Sequence, residues 1–186
     1  MSSEKSSGAD NQQERLAGSV WLDRIPSDLG HYIAGFVEGE GSFNVPIIRE
    51  RDRILPFRVC LSFNVSQVGS AMPELLKATL GVGRTRGRRD GVFYFEVTRP
   101  DHLEERIFPF FERFHLRGPK AKDLEIFKRI TKLVQLGRHL SIAGIDEILM
   151  LRSPMNRGGK RRRSDEEIIA VLRGENPQRP YAGRPR

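Results

Sequence analysis

A nine-residue string, IAGFVEGEG at positions 33–41, holds the residues best placed to do chemistry. It closes a predicted helix, whose C-terminal end carries a partial negative charge that disfavours a carboxylate such as Glu40. The small residues Ala34, Gly35 and Gly39 would allow a second helix to approach closely. Two such helices would bring two Glu40 carboxylates together, and the pair would repel unless divalent cations lay between them. The string therefore predicts a helix pair that shares a metal site.

The charge balance favours a polyanionic partner. The 186 residues include 32 Lys and Arg against 24 Asp and Glu, a formal net charge of +8, which suits nucleic acid. Cys60 is the only cysteine, which excludes an intramolecular disulfide or a zinc cluster and indicates a reducing compartment. No apolar run approaches the roughly 20 residues of a membrane helix. We therefore expect no membrane partner and no secretion, with the protein in the cytoplasm, at the prokaryotic nucleoid, or in an organelle.

Hydrophobic periodicity predicts a chain of helices and two hairpins. Apolar residues at helical spacing follow Asp28, and the first hairpin joins a strand over 43–49 to an alternating strand over 57–65. The second hairpin turns near Asp90. Further helices are predicted at 72–80, 124–134, 142–151 and near 165–173, the last two after the N-caps Ser141 and Ser164. Another helix is predicted to begin with a capping box at 101–104 and to be interrupted at Pro109.

The same patterns divide the chain into three parts. The polar residues 1–20 cannot bury enough apolar surface to fold and are predicted to form a disordered arm. Residues 21–152 are predicted to form one folded domain. Residues 153–186 are predicted to form a basic C-terminal extension that includes the short helix near 165–173.

The string at 33–41 resembles the LAGLIDADG motif of a family of homing endonucleases. The replacements are Ile33 for the first Leu, Phe36 and Val37 for Leu-Ile, Glu38 for the first Asp, Gly39 for the second Ala and Glu40 for the second Asp. The order of helix, hairpin, helix, hairpin and helix over 28–135 is similar as well. The resemblance implies an α+β fold of αββαββα type, whose antiparallel, saddle-shaped sheet covers DNA, here with extra C-terminal helices.

The family resemblance also implies a catalytic site. It assigns Mg²⁺ to Glu40 and the adjacent Gly39, with Mn²⁺ or Ca²⁺ able to substitute in binding. It places Gln67 where a polar side chain orders the attacking water. It places Lys120 where a cation offsets negative charge at the scissile phosphate, with Arg117 as the alternative. The contact between two copies is assigned to Ala34, Gly35, Glu38 and Gly39.

The polar faces of the predicted strands are the candidate surface for the DNA major groove. The residues assigned to DNA contact are Asn44, Ile48, Arg58, Ser62, Asn64, Arg84, Arg86, Arg88, Tyr94 and Glu96. Arginine can pair with guanine and asparagine with adenine, but both also bind phosphate, and the sequence leaves these uses open. In the basic run 157–163, Arg161 and Arg162 are assigned to phosphate, with a solvated linker or a nuclear signal as alternatives.

One copy of the motif supplies half of a two-helix site. We therefore expect a homodimer on a pseudo-palindromic target, because two-fold protein symmetry requires two-fold DNA symmetry. The resemblance implies a sequence-specific endonuclease for double-stranded DNA that promotes the mobility of an intron or intein. Two alternatives remain open at this point, a non-catalytic DNA-binding regulator of the same fold and an RNA-binding intron maturase.

Overall fold

Helices and antiparallel strands alternate along the computed structural model, which describes residues 20–50, 55–156 and 163–174. The first elements are α1 (Ser27–Glu40), β1 (Gly41–Asn44), β2 (Ile47–Arg49), β3 (Phe57–Val59) and β4 (Ser62–Val68). They are followed by α2 (Ala71–Leu80), β5 (Arg84–Gly87), β6 (Val92–Val97), α3 (Pro100–His102), a π-helical turn (Leu103–Ile107), α4 (Phe108–Arg113) and α5 (Pro119–Gln135). The last are a 3₁₀ turn (Arg138–Leu140), α6 (Ile142–Arg152) and α7 (Asp165–Leu172).

The predicted α+β order of helix, hairpin, helix, hairpin and helix is confirmed, and the expected additional helices follow it. Of the predicted arm at 1–20, only Val20 lies within the described residues, where a short helical turn begins. The tail residues Arg161 and Arg162 lie outside the described residues. In the described ranges, no helix combines the length and the apolar content that crossing a membrane requires.

Four strands form one antiparallel sheet in the order β1-β4-β6-β5, with the core on one of its faces. Phe43, Phe63 and Phe95 point to that face and are fully buried. The rings of Phe43 and Phe63 stack with centroids 5.0 Å apart, and Phe111 of α4 meets both edge-on at 5.9 and 5.7 Å. Since side chains alternate along a strand, the opposite face carries the intervening polar residues and lies outside this core.

The first hairpin is interrupted in both strands, so the two continuous strands predicted over 43–49 and 57–65 are wrong in detail. Pro46 separates β1 from β2, and it has no N–H to donate to the ladder. The register nevertheless continues across the break, because the N–H of Cys60 donates to the carbonyl of Pro46 at 2.9 Å. The outer half, β2 with β3, is therefore a two-stranded ribbon that extends beyond the sheet.

The predicted interruption at Pro109 is also wrong, because helical structure continues from Pro100 to Arg113. A proline clashes with the carbonyl four residues before it and donates no hydrogen bond, and the wider π-helical turn directly before α4 accommodates this. The capping box predicted at 101–104 is absent from this described segment. The helix begins at Pro100, and Asp101 pairs with Arg99 instead.

The C-terminal helices pack on the same core as the sheet. Their predicted N-caps are confirmed, since Ser141 Oγ accepts the N–H of Gly144 and Ser164 Oγ accepts that of Glu167, each at 3.1 Å. Ile168 of α7 is buried in the core cluster. The described part of the predicted extension therefore adds to the core of the predicted domain, while the boundary after Arg152 stays a prediction.

Arg152 ties the C-terminal helices to the interrupted hairpin. Its guanidinium donates to the carbonyl of Val45 at 2.7 Å and to Asp165 Oδ1 at 2.5 Å. The side chains of Arg152 and Asp165 are only 7% and 16% exposed. A buried cation of this kind is stable only where each of its partners stays in place, so the pair couples α6, α7 and the break at Pro46.

We expect Arg152→Met to lower the free energy of unfolding by about 3–5 kcal/mol, because it removes the buried guanidinium that donates to Val45 and Asp165. The matched control is Arg138→Met, which removes the Arg138–Glu147 pair on the surface (56% and 39% exposed). That control should cost only about 0–1 kcal/mol. Urea unfolding at one fixed protein concentration measures both, and equal losses would contradict the coupling role of Arg152.

Candidate active site and nucleic-acid interface

The outer face of α1 is open where the motif carries glycine. A Cβ added at Gly35 or Gly39 would meet nothing within 4 Å, and both glycines are exposed one helical turn apart. Ala34, by contrast, is 4% exposed and belongs to the core. It offers almost no surface to another molecule, which corrects its assignment to a contact between two copies. A surface for close helix approach is therefore formed by the two glycines.

The end of α1 and the start of α5 cap each other through Glu38 and Lys120. The Glu38 carboxylate accepts the backbone N–H groups of Arg117 and Lys120, each at 3.2 Å. The Lys120 ammonium donates to the carbonyls of Glu38 at 2.8 Å and Gly39 at 3.1 Å. An acid at a helix N terminus and a cation at a helix C terminus both offset the helix dipole. Glu38 therefore supports the helix end within the chain.

Gly118 provides the space that this contact needs. A Cβ at this position would lie 2.5 Å from Glu38 Oε1, closer than atoms can approach. The backbone of Gly118 has φ −102°, which other residues also adopt, so the requirement is one of space. The contact between the two helix ends therefore depends on a glycine that the motif string does not include.

The structure distinguishes the two candidate cations. The Lys120 ammonium lies at the carbonyls that end α1, next to Glu40, whereas Arg117 contributes its backbone N–H and has an exposed side chain. Asp123 lies close to Lys120, and its pKa is raised, mainly because the carboxyl is partly buried. The negative charge of Glu38 also raises this pKa, whereas the hydrogen bond from the Asn156 N–H and the positive charge of Lys120 lower it. Lys120 is thus the cation that the fold brings to the motif.

Gln67 lies at the end of β4, next to the end of α1. Gly41, which follows Glu40 directly, pairs with Val65 in the sheet, and Gln67 is two residues further along β4. Gln67 shares the parity of the buried Phe63 and is half-buried. The register therefore places Gln67 near the end of α1, where the Lys120 ammonium contacts the carbonyls of Glu38 and Gly39.

The donors at the end of α1 fit a hard divalent ion in part. Glu40 is exposed and offers carboxylate oxygens, the ligand type that Mg²⁺ prefers. The Gly39 carbonyl, however, already accepts the Lys120 ammonium at 3.1 Å, and a cation there disfavours a second one. Across the described ranges, no group of three or more His, Cys, Asp or Glu side chains could hold a metal. The chain thus offers Glu40 as an exposed carboxylate ligand, and Gly39 is a poor ligand.

The polar face of the sheet carries a hydrogen-bonded network across three strands. Asn64 Nδ2 donates to Ser62 Oγ at 3.1 Å, and Ser62 Oγ donates to Glu96 Oε1 at 3.0 Å. Arg84 Nη2 lies 2.6 Å from Glu96 Oε2. Partial burial acts to raise the pKa of Glu96, but the hydrogen bonds from Arg84 and Ser62 and the nearby arginine charges outweigh it, so this pKa is lowered. Glu96 is therefore ionised near neutral pH.

The other two predicted arginines of this hairpin surround Tyr94. The Arg86 guanidinium lies over the Tyr94 ring, 5.6 Å from its centroid. Arg88, in the turn after β5, donates to the Tyr94 hydroxyl at 3.0 Å and pairs with Asp90 at 2.9 Å. A shallow depression in the sheet is lined by Asn64, Arg84, Arg86, Tyr94 and Glu96. Five of the predicted DNA-contact residues are therefore brought together.

The remaining predicted contacts lie apart from this depression. Ile48 and Arg58 are cross-strand partners in the β2–β3 ribbon, where Arg58 also pairs with Glu50 at 2.6 Å. Asn44 lies on the edge strand β1, where its Oδ1 accepts from Asn156 Nδ2 at 3.1 Å. The predicted surface is therefore divided between the sheet and the ribbon that extends from it.

The sequence did not predict a role for Ser42, Ser66 and Asn156. Ser42 and Ser66 share the polar parity of β1 and β4 and face Asn64 and Tyr94 in the register, so alternation alone could have identified them. Asn156 also donates to the carbonyl of Phe43 at 2.7 Å, which links the end of α6 to the edge strand. Because 112 residues separate Asn156 from Asn44, the sequence carried no signal of this contact.

Comparison with known proteins agrees with this arrangement. Residues 33–131 match the family model described as LAGLIDADG endonuclease. The chain therefore belongs to the LAGLIDADG endonuclease family.

Relatives of different length share this domain. The probable intron-encoded endonuclease 2 of Neurospora crassa is 30% identical over 160 residues, 83% of this chain and 34% of that protein. Homing endonuclease I-ApeII of Aeropyrum pernix is 26% identical over 151 residues, 77% of this chain and 90% of that protein. In the crystal structure of I-SmaMI bound to cleaved DNA, one chain matches with a TM-score of 0.67 and 26% identity, over 83% of this chain and 51% of that chain. The chain thus spans about a third of the Neurospora relative and half of I-SmaMI.

The contact between Glu38 and Gly118 can be tested by a double-mutant cycle. We expect Glu38→Ala to lower the free energy of unfolding by about 1.5–3 kcal/mol, the range for hydrogen bonds to a charged group. Gly118→Ala should destabilise the wild-type chain by about 1–3 kcal/mol through overpacking. It should cost much less in the Glu38→Ala background, where the clashing carboxylate is gone. Urea unfolding of the four variants gives the coupling, and an unchanged cost of Gly118→Ala would reject this contact.

Proposed function

We propose that this protein is a homodimeric, divalent-metal-dependent endonuclease that cuts both strands of double-stranded DNA at a specific, near-palindromic site. The observation that carries the proposal is the corner where Glu40 ends α1 beside Lys120, next to a polar sheet face. A carboxylate suited to a metal ion and an ammonium suited to a phosphate thus support this proposal, since they lie beside a surface that suits a DNA groove. The net charge of +8 favours the same polyanionic partner.

A homodimer is proposed because one chain supplies half of the site. Glu40 is a single carboxylate ligand, and a second copy of α1 packed on Gly35 and Gly39 would add another. The coverage of relatives agrees, since the chain spans 90% of I-ApeII but 51% of the I-SmaMI chain. A longer chain with room for two such domains supports the idea that two copies make a complete enzyme.

The proposed roles follow from the geometry of the corner. A bound divalent ion would activate water and offset charge on the leaving oxygen. Glu40 would hold this ion. The Lys120 ammonium, fixed by the carbonyls of Glu38 and Gly39, would face the scissile phosphate and stabilise the negative charge that develops there. The Gln67 amide would hold the attacking water by hydrogen bonds. The name of the Neurospora relative, an intron-encoded endonuclease, favours an intron as the mobile element that carries the gene.

We expect Glu40→Gln to reduce DNA cleavage by about 100-fold or more, because metal-held charge stabilisation is worth several kcal/mol. DNA binding should survive or improve, since the change keeps the shape and removes negative charge beside DNA. The substrate is a duplex selected by wild-type binding from a randomised library, and cleavage in Mg²⁺ is followed on a gel. Glu125→Gln, at an exposed position on α5, is the matched control and should cut normally. Full cleavage by Glu40→Gln would remove Glu40 from the active site.

The proposed dimer makes a second prediction. Gly35→Leu places a large side chain where one protomer has open space, so the fold should persist while close helix approach is blocked. Sedimentation should find a dimer for the wild type and a monomer for Gly35→Leu at the same concentration, with unchanged circular dichroism. Lys77→Leu, at an exposed position on α2, controls for the added apolar surface and should stay dimeric. A wild-type monomer that binds DNA one-to-one would reject the homodimer.

A further inference from the structure

An acidic side chain occupies the depression in the polar sheet face. Glu96 is 30% exposed and lies below Arg84, which is 74% exposed and projects outward. The two residues are cross-strand partners in register, and Ser62, itself buried, holds the other carboxylate oxygen. The carboxylate is therefore fixed from two sides, and the arginine is fixed on it.

The position of Glu96 limits which part of DNA can lie over it. Duplex DNA carries one negative charge per about 1.7 Å of its axis, so an ionised carboxylate cannot lie against the phosphates without repulsion. Base edges in the major groove offer neutral donors and acceptors instead. The row of Asn64, Glu96 and Arg84 across the sheet therefore suits the base edges of the major groove. Arginines that are not paired with an acid are better suited to contact phosphates.

The hydrogen bonds of Arg84 decide which base fits. Its Nε and Nη2 both donate to Glu96 Oε2, at 3.1 and 2.6 Å, so the side edge of the guanidinium is used within the protein. The end of the planar fork, with one N–H from each terminal nitrogen, is directed away from that carboxylate. Two parallel N–H groups match the O6 and N7 acceptors of guanine, which no other base presents in the major groove.

We propose that Arg84 reads a guanine in each half of the DNA target and that Glu96 is the positioning residue that orients the guanidinium for it. This inference rests on the proposed function, because it requires that the sheet face binds duplex DNA. It assigns one base to one side chain and gives the acid on a DNA-binding face a role. Arg86 lies over Tyr94 and has no comparable carboxylate partner among the described contacts, which makes it the natural comparison on the same strand.

The experiment is selection from a randomised duplex library, with the wild type and four variants. The wild type should select a two-fold symmetric motif with a guanine in each half. Arg84→Lys keeps the charge but lacks the planar fork. Because lysine can also donate to guanine O6 and N7, this variant should weaken the guanine preference only in part, with unchanged affinity and salt dependence on random DNA. Arg84→Ala should lose the same guanine and also some random affinity.

The other two variants test the role of the acid. Glu96→Gln should weaken the guanine preference at the same position and bind random DNA more tightly, because the negative charge is gone. Arg86→Ala should leave this guanine in place. Replacing that guanine by 7-deazaguanine, which lacks the N7 acceptor, should weaken wild-type binding but not that of Arg84→Ala.

The outcomes separate this inference from the proposed function. If the wild type selects no sequence, site-specific DNA binding itself fails. If it selects a motif that Arg84→Ala retains in full, the function stands and the guanine assignment is overturned. If Arg84 variants lose the guanine but Glu96→Gln keeps the full preference, the positioning role of Glu96 is overturned. A cytosine preference lost only in Glu96→Gln would show that the carboxylate itself reads the base.

Discussion

The mutual capping of α1 and α5 is the contact on which the site depends. Each helix leaves uncompensated backbone groups at its end, and here the Glu38 carboxylate and the Lys120 ammonium satisfy them for each other. The contact joins residues 82 positions apart and fixes the last turn of α1, from which Glu40 extends. Lys120, the cation proposed for catalysis, thereby also stabilises the end of α1. Its position is set by the same helix that carries Glu40.

The polar sheet face is organised before any ligand arrives. Hydrogen bonds join Asn64, Ser62, Glu96 and Arg84, and the aromatic ring of Tyr94 supports Arg86. Fixing long side chains in the protein reduces the entropy lost when they meet a partner. The same network distinguishes two kinds of arginine. An arginine paired with an ionised acid suits a neutral base edge better than a phosphate, whereas an arginine without an acid suits a phosphate. One strand face can thus hold base contacts and phosphate contacts side by side.

The C-terminal helices protect and orient the edge of the sheet. β1 is an edge strand, which would otherwise present unpaired backbone groups. Asn156 donates a hydrogen bond to the carbonyl of Phe43, and Arg152 donates one to the carbonyl of Val45 beside the break at Pro46. These contacts hold the strand that directly follows the end of α1, so the added helices support the candidate site although they lie outside the motif and its sheet.

The sequence by itself determined the element order, the two faces of the strands, and the motif helix with its acid, because these follow from local periodicity, capping and composition. It also brought Glu40, Gln67 and Lys120 into consideration through the family resemblance. Only the tertiary structure decided that the Lys120 ammonium contacts the end of α1 while Arg117 contributes its backbone N–H, that Ala34 belongs to the core, and that Glu96 holds Arg84. These outcomes depend on contacts between residues far apart in the chain, and no local pattern encodes which long side chain reaches which partner.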